Sequence, residues 1–561
     1  MASNNTQLDT HAKGELQASS PPSSPPPRDD YLHGPKLFAV IFALLLGMFL
    51  ARIPYEPRGS KVALDLTIVA TAVPSITAEF RSFEDIGWYA AAFFITLAAF
   101  QSLWGRAYKH FDLKLVFLTT VLLFELGSLI CGVAPTSLTL IVGRAVAGLG
   151  GAGVTGGIYT IVAFIVPPAK VPTYIGFVGA VFSVASVAGP LLGGVFSGEV
   201  TWRWAFYINL PVGAISVILL VVFFHTPAAV KPVPIDPLGL LLSLDVLGIV
   251  LSLAFSTCFT IGMQLGGVAE PWSSPKVVGM LVASAVLAIA FCLDQWLCGE
   301  RSLIVPRLIK QRTIAALCLF IFFLNATNLS ILYSLPQYFQ VINGVSPTMS
   351  GIRNLPMIFT TALGSMLSGT LLGRHGRHQL FLVSGAALLI LGTGLIYTLN
   401  QGSSLGQIIG YQIIVGFGIG WCVQVPVTVA QGLVQPQDVA VVTALVLFFQ
   451  LVTGAIGVAS AQAVLANRLV AALTQLAPGL EPHKVLAVGA HEIRLVFQGA
   501  DLDNVLRAYM TGLQDSWAMS VGLSGLTVLS TFLGDWKNLK SARANPVDSS
   551  SLESEDRKGS A

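Results

Sequence analysis

The sequence predicts an all-α polytopic membrane protein: 14 transmembrane helices, built as two pseudo-symmetric six-helix halves plus two inserted helices. Three observations lead there. Of the 561 residues, 54% are hydrophobic and 11% charged, where a soluble domain carries about 25% charged residues. The 31 Lys+Arg and 28 Asp+Glu cannot cover a globule of this size in water, so the apolar surplus faces lipid. The apolar residues also fall into runs of about 20, the length that crosses a hydrocarbon core about 30 Å thick as a helix. Finally, the short polar intervals between runs alternate between rich and poor in Lys and Arg.

Residues 1–34, with Ser19-Ser20-Pro21-Pro22-Ser23-Ser24-Pro25-Pro26-Pro27, cannot bury enough apolar area to fold and read as a cytoplasmic tail. The N-terminal half is expected over 35–225. Its first span is irregular, because the apolar stretches 37–50 and 62–76 are separated by 51–61, which holds Arg52, Glu56, Arg58 and Lys61 with Pro54 and Pro57. Charges and prolines fit poorly in lipid. Removing 51–61 would join the flanks into one continuous span, so the segment reads as a mistaken splice boundary; a broken first helix is the alternative.

Spans two to six are expected near 86–104, 113–133, 138–165, 174–197 and 204–224. Two inserted helices occupy 238–297, at 238–259 and 277–297. The C-terminal half, 312–535, offers spans at 313–335, 350–372, 379–398, 407–430, 439–465 and 515–534, with an external loop at 466–514. A short polar tail, 536–561, follows. One set of alternate loops holds Arg106, Lys109, Lys114, Lys170, Lys231, Arg301, Arg307, Lys310, Arg312, Arg374 and Arg377, whereas the opposite short loops hold Arg81, Arg203, Lys276 and Arg353. The first set, with both tails, is therefore cytoplasmic.

Gly105-Arg106-Ala107-Tyr108-Lys109 after the second span is echoed by Gly373-Arg374-His375-Gly376-Arg377 after the tenth. These turns stand at corresponding points of two six-span sets, the arrangement secondary transporters commonly use around a midplane site. Gly105, Lys109, Gly373, Arg374 and Arg377 are the candidate cytoplasmic gating residues.

Ionisable groups inside a membrane cost about 2.5–3.5 kcal/mol each on insertion scales, so each needs a reason. Asp65 on the first span and Arg144 on the fourth read as a carboxylate and a guanidinium facing a wet cavity, where protonation couples to cargo; a structural ion pair is the alternative. Glu125 on the third span reads as a further proton-coupling candidate or as helix glue. Asp294 lies near a span end beside Glu300 and Arg301 and is expected to snorkel to the interface. Gln337, Gln424 and Gln450 are the candidate cargo-cavity residues, since an amide left unsatisfied in hydrocarbon costs several kcal/mol.

Other classes are set aside on the residues. The net charge of +3 and scattered basic residues do not suit nucleic acid. The 6 cysteines show no metal-ligand spacing and read as small buried hydrophobes. Neither a phosphate-binding Gly-rich loop ending in Gly-Lys-Ser/Thr nor a His-Glu-x-x-His metal motif occurs, and no nucleophile, base and oxyanion-donor cluster is visible. No catalytic or metal residues are therefore expected.

Five separated motifs carry a resemblance. Gly189-Pro190-Leu191-Leu192-Gly193-Gly194 on the fifth span resembles the antiporter motif of the major facilitator superfamily, and Arg144 with Gly148, Gly150 and Gly151 resembles its fourth-span motif. Leu64-Asp65-Leu66-Thr67-Ile68-Val69-Ala70 is similar to the first-span motif. Trp202-Arg203-Trp204-Ala205-Phe206-Tyr207-Ile208-Asn209-Leu210-Pro211 is similar to the approach to span six in the fourteen-span drug:proton antiporters. Tyr333-Ser334-Leu335-Pro336-Gln337-Tyr338-Phe339-Gln340 with Ser350-Gly351-Ile352-Arg353-Asn354-Leu355-Pro356 is similar to fungal members that export toxins and other secondary metabolites. The loop after span two keeps the first glycine and the basic character of its family motif but not the whole pattern, and Ala147 stands where a glutamine is common.

The resemblance implies a proton-coupled exporter of amphipathic organic molecules, with Gly189, Pro190, Gly193 and Gly194 as a bendable seam. It needs no cofactor, drawing on the proton gradient. The expected partners are cargo, protons and the lipid bilayer, with the chain a monomer and the plasma membrane its location; a vacuolar or vesicle membrane is the alternative. An importer or facilitator of a small molecule such as a siderophore, and a non-transporting receptor, are the rival functions.

Overall fold

The computed structural model describes residues 31–50, 79–80, 86–195, 201–227, 232–235, 245–267, 270–487 and 493–535; Asp65 and the segment 51–61 lie outside them. The first half comprises α1 (Gly34–Leu50), α2 (Ile86–Ala99), α3 (Gln101–His110), α4 (Leu113–Gly132), α5 (Ser137–Ile165), α6 (Val171–Val195) and, after the single turn Trp204–Tyr207, α7 (Asn209–Phe223). The inserted pair is α8 (Val246–Leu265) and α9 (Pro275–Cys298). The second half comprises α10 (Arg312–Gln337), α11 (Pro347–His375), α12 (His378–Tyr397), α13 (Leu405–Val423), α14 (Val425–Leu433), α15 (Val439–Leu476) and α16 (Gly499–Thr531).

Among the described residues there are 10 helices long and apolar enough to cross a membrane, and two shorter apolar ones, Gly34–Gly47 and Val171–Ala185. Helices prevail because hydrocarbon offers backbone N–H and C=O groups no partner outside the segment itself. The surface pattern is the reverse of a water-soluble protein's. Leu122, Ile218, Val286, Ile289 and Phe359 are exposed, while Gln101, Thr120, Ser365, Gln412 and Thr443 are buried.

Within the first half α5 packs on both α2 and α4, and α1 packs on α7. Within the second, α13 packs on α11 and α12, while α10, α15 and α16 form a mutual cluster. The most extensive contacts between the halves are α6 with α11, and α3 with α15, with α2 and α5 also packed on α15. The first two pairs are spans 5 and 10, and spans 2 and 13, so the two contacts are equivalent under the pseudo-symmetry that the paired loop motifs predict. The inserted pair docks beside one of them, with α8 against α2 and α15 and the Phe291 ring of α9 stacked 6.1 Å from Phe448 of α15.

The last two helices differ from the expected spans. α15 has 38 residues, about 57 Å at helical rise, and α16 begins at Gly499 rather than at 515, so much of the expected loop 466–514 is helical. Counting continuous apolar runs misses this because the first turns of α16 are amphipathic. Val505, Leu506, Tyr509 and Leu513 are buried against their neighbours while Asp501, Asp503 and Arg507 face out. Arg468 of α15 and Asp515 of α16 are ion-paired at 2.9 Å.

The Trp202–Tyr207 motif builds a clamp at the outer end of the first half. Arg203 donates to both Glu79 oxygens at 2.9 Å and to the Ala134 carbonyl at 3.0 Å, with its guanidinium 4.3 Å from the Trp202 ring centroid. Trp202 Nε1 donates to Glu79 at 2.8 Å, and the Tyr207 hydroxyl donates to the Gly132 carbonyl at 2.9 Å. Hydrogen bonds from Arg203, and then from Trp202, hold the Glu79 carboxyl below its ordinary value of 4.5. A lowered folded-state value means that the stabilisation is present above the ordinary value and is lost as pH falls through the folded one. Arg203→Ala is therefore expected to lower the apparent melting temperature in thermal unfolding at neutral pH. Glu79→Gln is expected to flatten the loss of stability as pH falls below the ordinary carboxylate value of 4.5; an unchanged acid limb would remove Glu79 from the clamp's energetics.

Candidate functional site

Arg144 sits on α5, about two turns in from its N-terminus, and is buried against α2. Its Nε donates to the Tyr89 carbonyl at 2.9 Å and its guanidinium lies 4.4 Å from the Phe93 ring centroid. A carbonyl and an aromatic face both favour a cation in a low-dielectric setting. The Tyr89 hydroxyl is in turn hydrogen-bonded to Ser137 at 2.8 Å, which fixes the α2 segment that receives Arg144. The glycines that follow are a two-sided packing surface: a Cβ on Gly148 would strike Thr96 and Phe93 of α2, and one on Gly150 would strike Phe124 of α4.

Glu125 lies elsewhere. Its carboxyl faces Gly213 of α7, and neither oxygen has a hydrogen-bond partner, so it sits inside the first half between α4 and α7 rather than at the junction of the halves. Gly189, Pro190, Gly193 and Gly194 belong to the helical backbone of α6, and their surroundings lie outside the described residues. Asp65 is outside them as well.

The loop candidates converge on the two junctions. On one, a Cβ on Gly105 would meet Ala444 and come 3.1 Å from the Ala440 carbonyl of α15. One turn later Lys109 is paired with Asp438, the residue before α15, at 3.1 Å. On the other, a Cβ on Gly373 would come 2.8 Å from the Ala169 carbonyl just before α6. Deeper in this junction, a Cβ on Gly369 would come 3.0 Å from the Gly176 Cα, and one on Gly176 would lie 2.5 Å from the Ser365 carbonyl. Arg374 and Arg377 are exposed beyond it. At the ends that carry these loops the halves therefore touch closely, backbone to backbone at Gly369 and Gly176.

Polar groups line the junction deeper in. Gln424, between α13 and α14, accepts from the Tyr159 hydroxyl of α5 at 3.1 Å, and a Cβ on Gly179 of α6 would collide with its amide. Gln431 donates to the Tyr159 carbonyl at 3.2 Å and to Thr443 at 2.8 Å. Of the three amides expected in a cavity, Gln424 thus spans both halves. Gln337 instead donates to Gln462 at 3.3 Å within the second half, and Gln450 is half-buried there, its carbonyl accepting from Asn325 at 2.5 Å. Run-counting passed over Tyr159, Gln431 and Gln101, the last fully buried with both amide atoms unpartnered. Their signal was available, since each is a polar group inside an apolar run.

Asp294 does not snorkel. It is buried beside Asp245 and the half-buried Cys298, the ligand-type atoms of the three lying within 4.8 Å of one another. Asp245, at a φ of 45°, caps α8 through the Gly248 N–H at 2.9 Å and accepts from Gln295 and the Leu303 N–H at 3.0 and 2.8 Å. Asp294 accepts from Gln295 at 2.8 Å and from Cys298 at 3.5 Å. These bonds join the start of α8 to the end of α9.

A sequence model of the Major Facilitator Superfamily matches residues 62–458. The chain belongs to that superfamily. The transporter is 40% identical over 516 residues to the MFS-type transporter grgE of a Penicillium species, covering 92% of this chain and 89% of that one. It is 38% identical over 517 residues to the dehydrocurvularin exporter of Alternaria cinerariae, covering 92% and 87%. Its fold resembles the crystal structure of the human organic anion transporter MFSD10, with a TM-score of 0.54 at 14% identity over 89% of this chain and 100% of the other. The protein is a multi-pass membrane transporter of small molecules, not an enzyme.

The glycine contact yields a test. Overpacking a tight helix contact costs about 1–3 kcal/mol, and the α6–α11 contact has no room for a side chain. Gly176→Val is expected to slow transport by about tenfold in a vesicle uptake assay while leaving the amount of folded protein in the membrane similar; full activity would mean that this junction does not close during the cycle.

Proposed function

We propose that the transporter exports an amphipathic organic molecule, a toxin, drug or secondary metabolite, in exchange for protons across the plasma membrane. The observation that carries this reading is the paired junction of the halves, closed by glycine contacts at the cytoplasmic ends and lined deeper in by Tyr159, Gln424 and Gln431. Such a lining suits a mainly apolar cargo held by a few polar anchors. The 38% identity to an exporter of an organic product favours export over import or reception.

In this reading Asp65 carries the proton, and Arg144, held by Tyr89 and Phe93, is the charge against which its protonation is felt. Protonation favours one access state and cargo the other, so proton entry drives cargo out by rocking one half against the other. Gly105, Lys109, Gly373, Arg374 and Arg377 act at the cytoplasmic gate, and the Gly189–Gly194 stretch of α6 supplies the bend. Glu125 supports the first half from within and is not on the coupling path.

Export measured in membrane vesicles under an imposed pH gradient tests the reading. Collapsing the gradient is expected to stop net export, and Asp65→Asn is expected to reduce it by at least about tenfold, whereas Glu125→Gln retains it. Export that survives loss of the gradient would refute proton coupling.

We also propose that 51–61 is not part of the working protein. The family match begins at Val62, directly after that segment, and α1 has 17 residues, about 25 Å, short of a hydrocarbon core. Transcript sequencing is expected to join the codons of Leu50 and Val62; reads that retain the intervening codons would overturn this.

A further inference from the structure

The inserted helices α8 and α9 are tied to the same gate, by contacts on both of their cytoplasmic connections. On the way in, the Val233 N–H donates to the Lys109 carbonyl at 3.1 Å and His110 Nδ1 donates to the Val233 carbonyl at 2.9 Å. On the way out, the Ser302 carbonyl accepts from Arg106 of α3, and Arg307 donates to Asp438 at 2.9 Å and to Glu300 at 3.1 Å. Asp438 is buried and takes both cations, Lys109 on one oxygen and Arg307 on the other. The Asp245–Gln295 knot holds this outgoing connection in place, since it also receives the Leu303 and Ile304 N–H groups at 2.8 Å each.

Of the pair's remaining contacts, α8 packs on α2 of the first half, and the more extensive ones lie along α15 of the second. Phe291 stacks on Phe448, and at the outer end Trp272 donates to Asn467 of α15 at 2.8 Å while Asn467 donates to the Gly266 carbonyl at 3.1 Å. The pair is thus fastened along α15 from end to end, whereas its cytoplasmic ties to the first half are polar bonds to Arg106, Lys109 and His110.

We propose that α8 and α9 travel with the second half and act as the third member of the cytoplasmic gate, with Arg307 a positioning residue that holds Asp438 for Lys109 and so sets how readily the gate opens. Opening separates α3 from α15 and must break Lys109–Asp438 and Arg106–Ser302 together. Arg307 stays with Asp438 through that motion. It keeps the carboxylate oriented toward Lys109, and re-forming the gate then requires no search by Asp438.

This inference rests on the reading of the α3–α15 junction as a gate, and the test separates the two. Hydrogen–deuterium exchange of the full-length transporter in lipid nanodiscs reads opening at the amides of the first turns of α15 and the last turn of α3. Asp438→Asn, which weakens both ion pairs, is expected to speed exchange there. Arg307→Ala is expected to speed it by about fivefold, the scale of a partly exposed ion pair, and Arg307→Lys to restore most of the protection. Arg307→Gln, which keeps the bulk and loses the charge, is run beside them with thermal melting as the folding control. Faster exchange in Asp438→Asn with parental rates in both neutral Arg307 variants would overturn the role of the inserted pair and leave the gate standing. Parental rates in all the variants would overturn the gate reading as well.

Discussion

With hydrogen in place of a side chain at Gly176 and Gly369, the backbones of α6 and α11 can lie against each other, and Gly105 does the same for α3 against α15. In lipid there is no hydrophobic force to drive two helices together, because the tails are as apolar as the side chains. Association depends on close packing and polar contacts instead. The glycine contacts let two six-helix bodies close without interlocking large side chains, which would have to be withdrawn in every cycle. The fourth-span glycines work differently: Gly148 and Gly150 wedge α5 between α2 and α4, making a rigid block of the first half. One residue type thus serves close contacts both inside a half and between the halves.

The two junctions are equivalent in position but not in charge. Asp438 precedes α15, whereas Lys170 precedes α6 at the matching place, so Lys109 finds a carboxylate where the second-half loop faces a like charge. The inserted helices dock on the charged side, beside α2, α8's neighbour in the first half, and along α15. They bring Arg307 and Glu300 into a cavity of about 40 Å³ with Arg106 and Lys109. Partly desolvated ion pairs of this kind are strong enough to bias a two-state equilibrium and weak enough to break reversibly. The outer ends use a different device, the Arg203–Glu79 clamp, whose partners all lie within the first half and so need not part when the halves move.

Much of the fold was legible in the sequence because lipid enforces it locally: a run of about 20 apolar residues has few choices other than a helix. Where they fall among the described residues, the expected spans from 113 onward lie on helices, while Gly105 and Gly373, expected in turns, are inside α3 and α11 at equivalent junctions. Legibility failed where polarity was periodic rather than absent, as at Gly499–Asp515, where one wet face hid a helix from the run count. Among the site residues, Gln424 was found because an amide in an apolar run demands a partner, but the same rule applied equally to Gln337, and nothing local distinguishes a residue that reaches across the halves from one that bonds within its own. Asp294 misled for a related reason: nearness to a span end suggested an exit to water, while its actual partners, Gln295 and Cys298, are neighbours on its own helix knotted to Asp245, 49 positions earlier.

By itself the sequence determined that this chain lives in a membrane and, through its motifs, the family to which it belongs. These follow from solvation of the backbone and from residues close together in the chain. The tertiary structure decided which polar groups meet: Tyr159 with Gln424, Lys109 and Arg307 on one Asp438, and the inserted pair on α15 rather than out in the lipid. Those pairings join residues more than a hundred positions apart in the chain. They follow from how the halves approach each other, which glycine spacing permits but local sequence cannot specify.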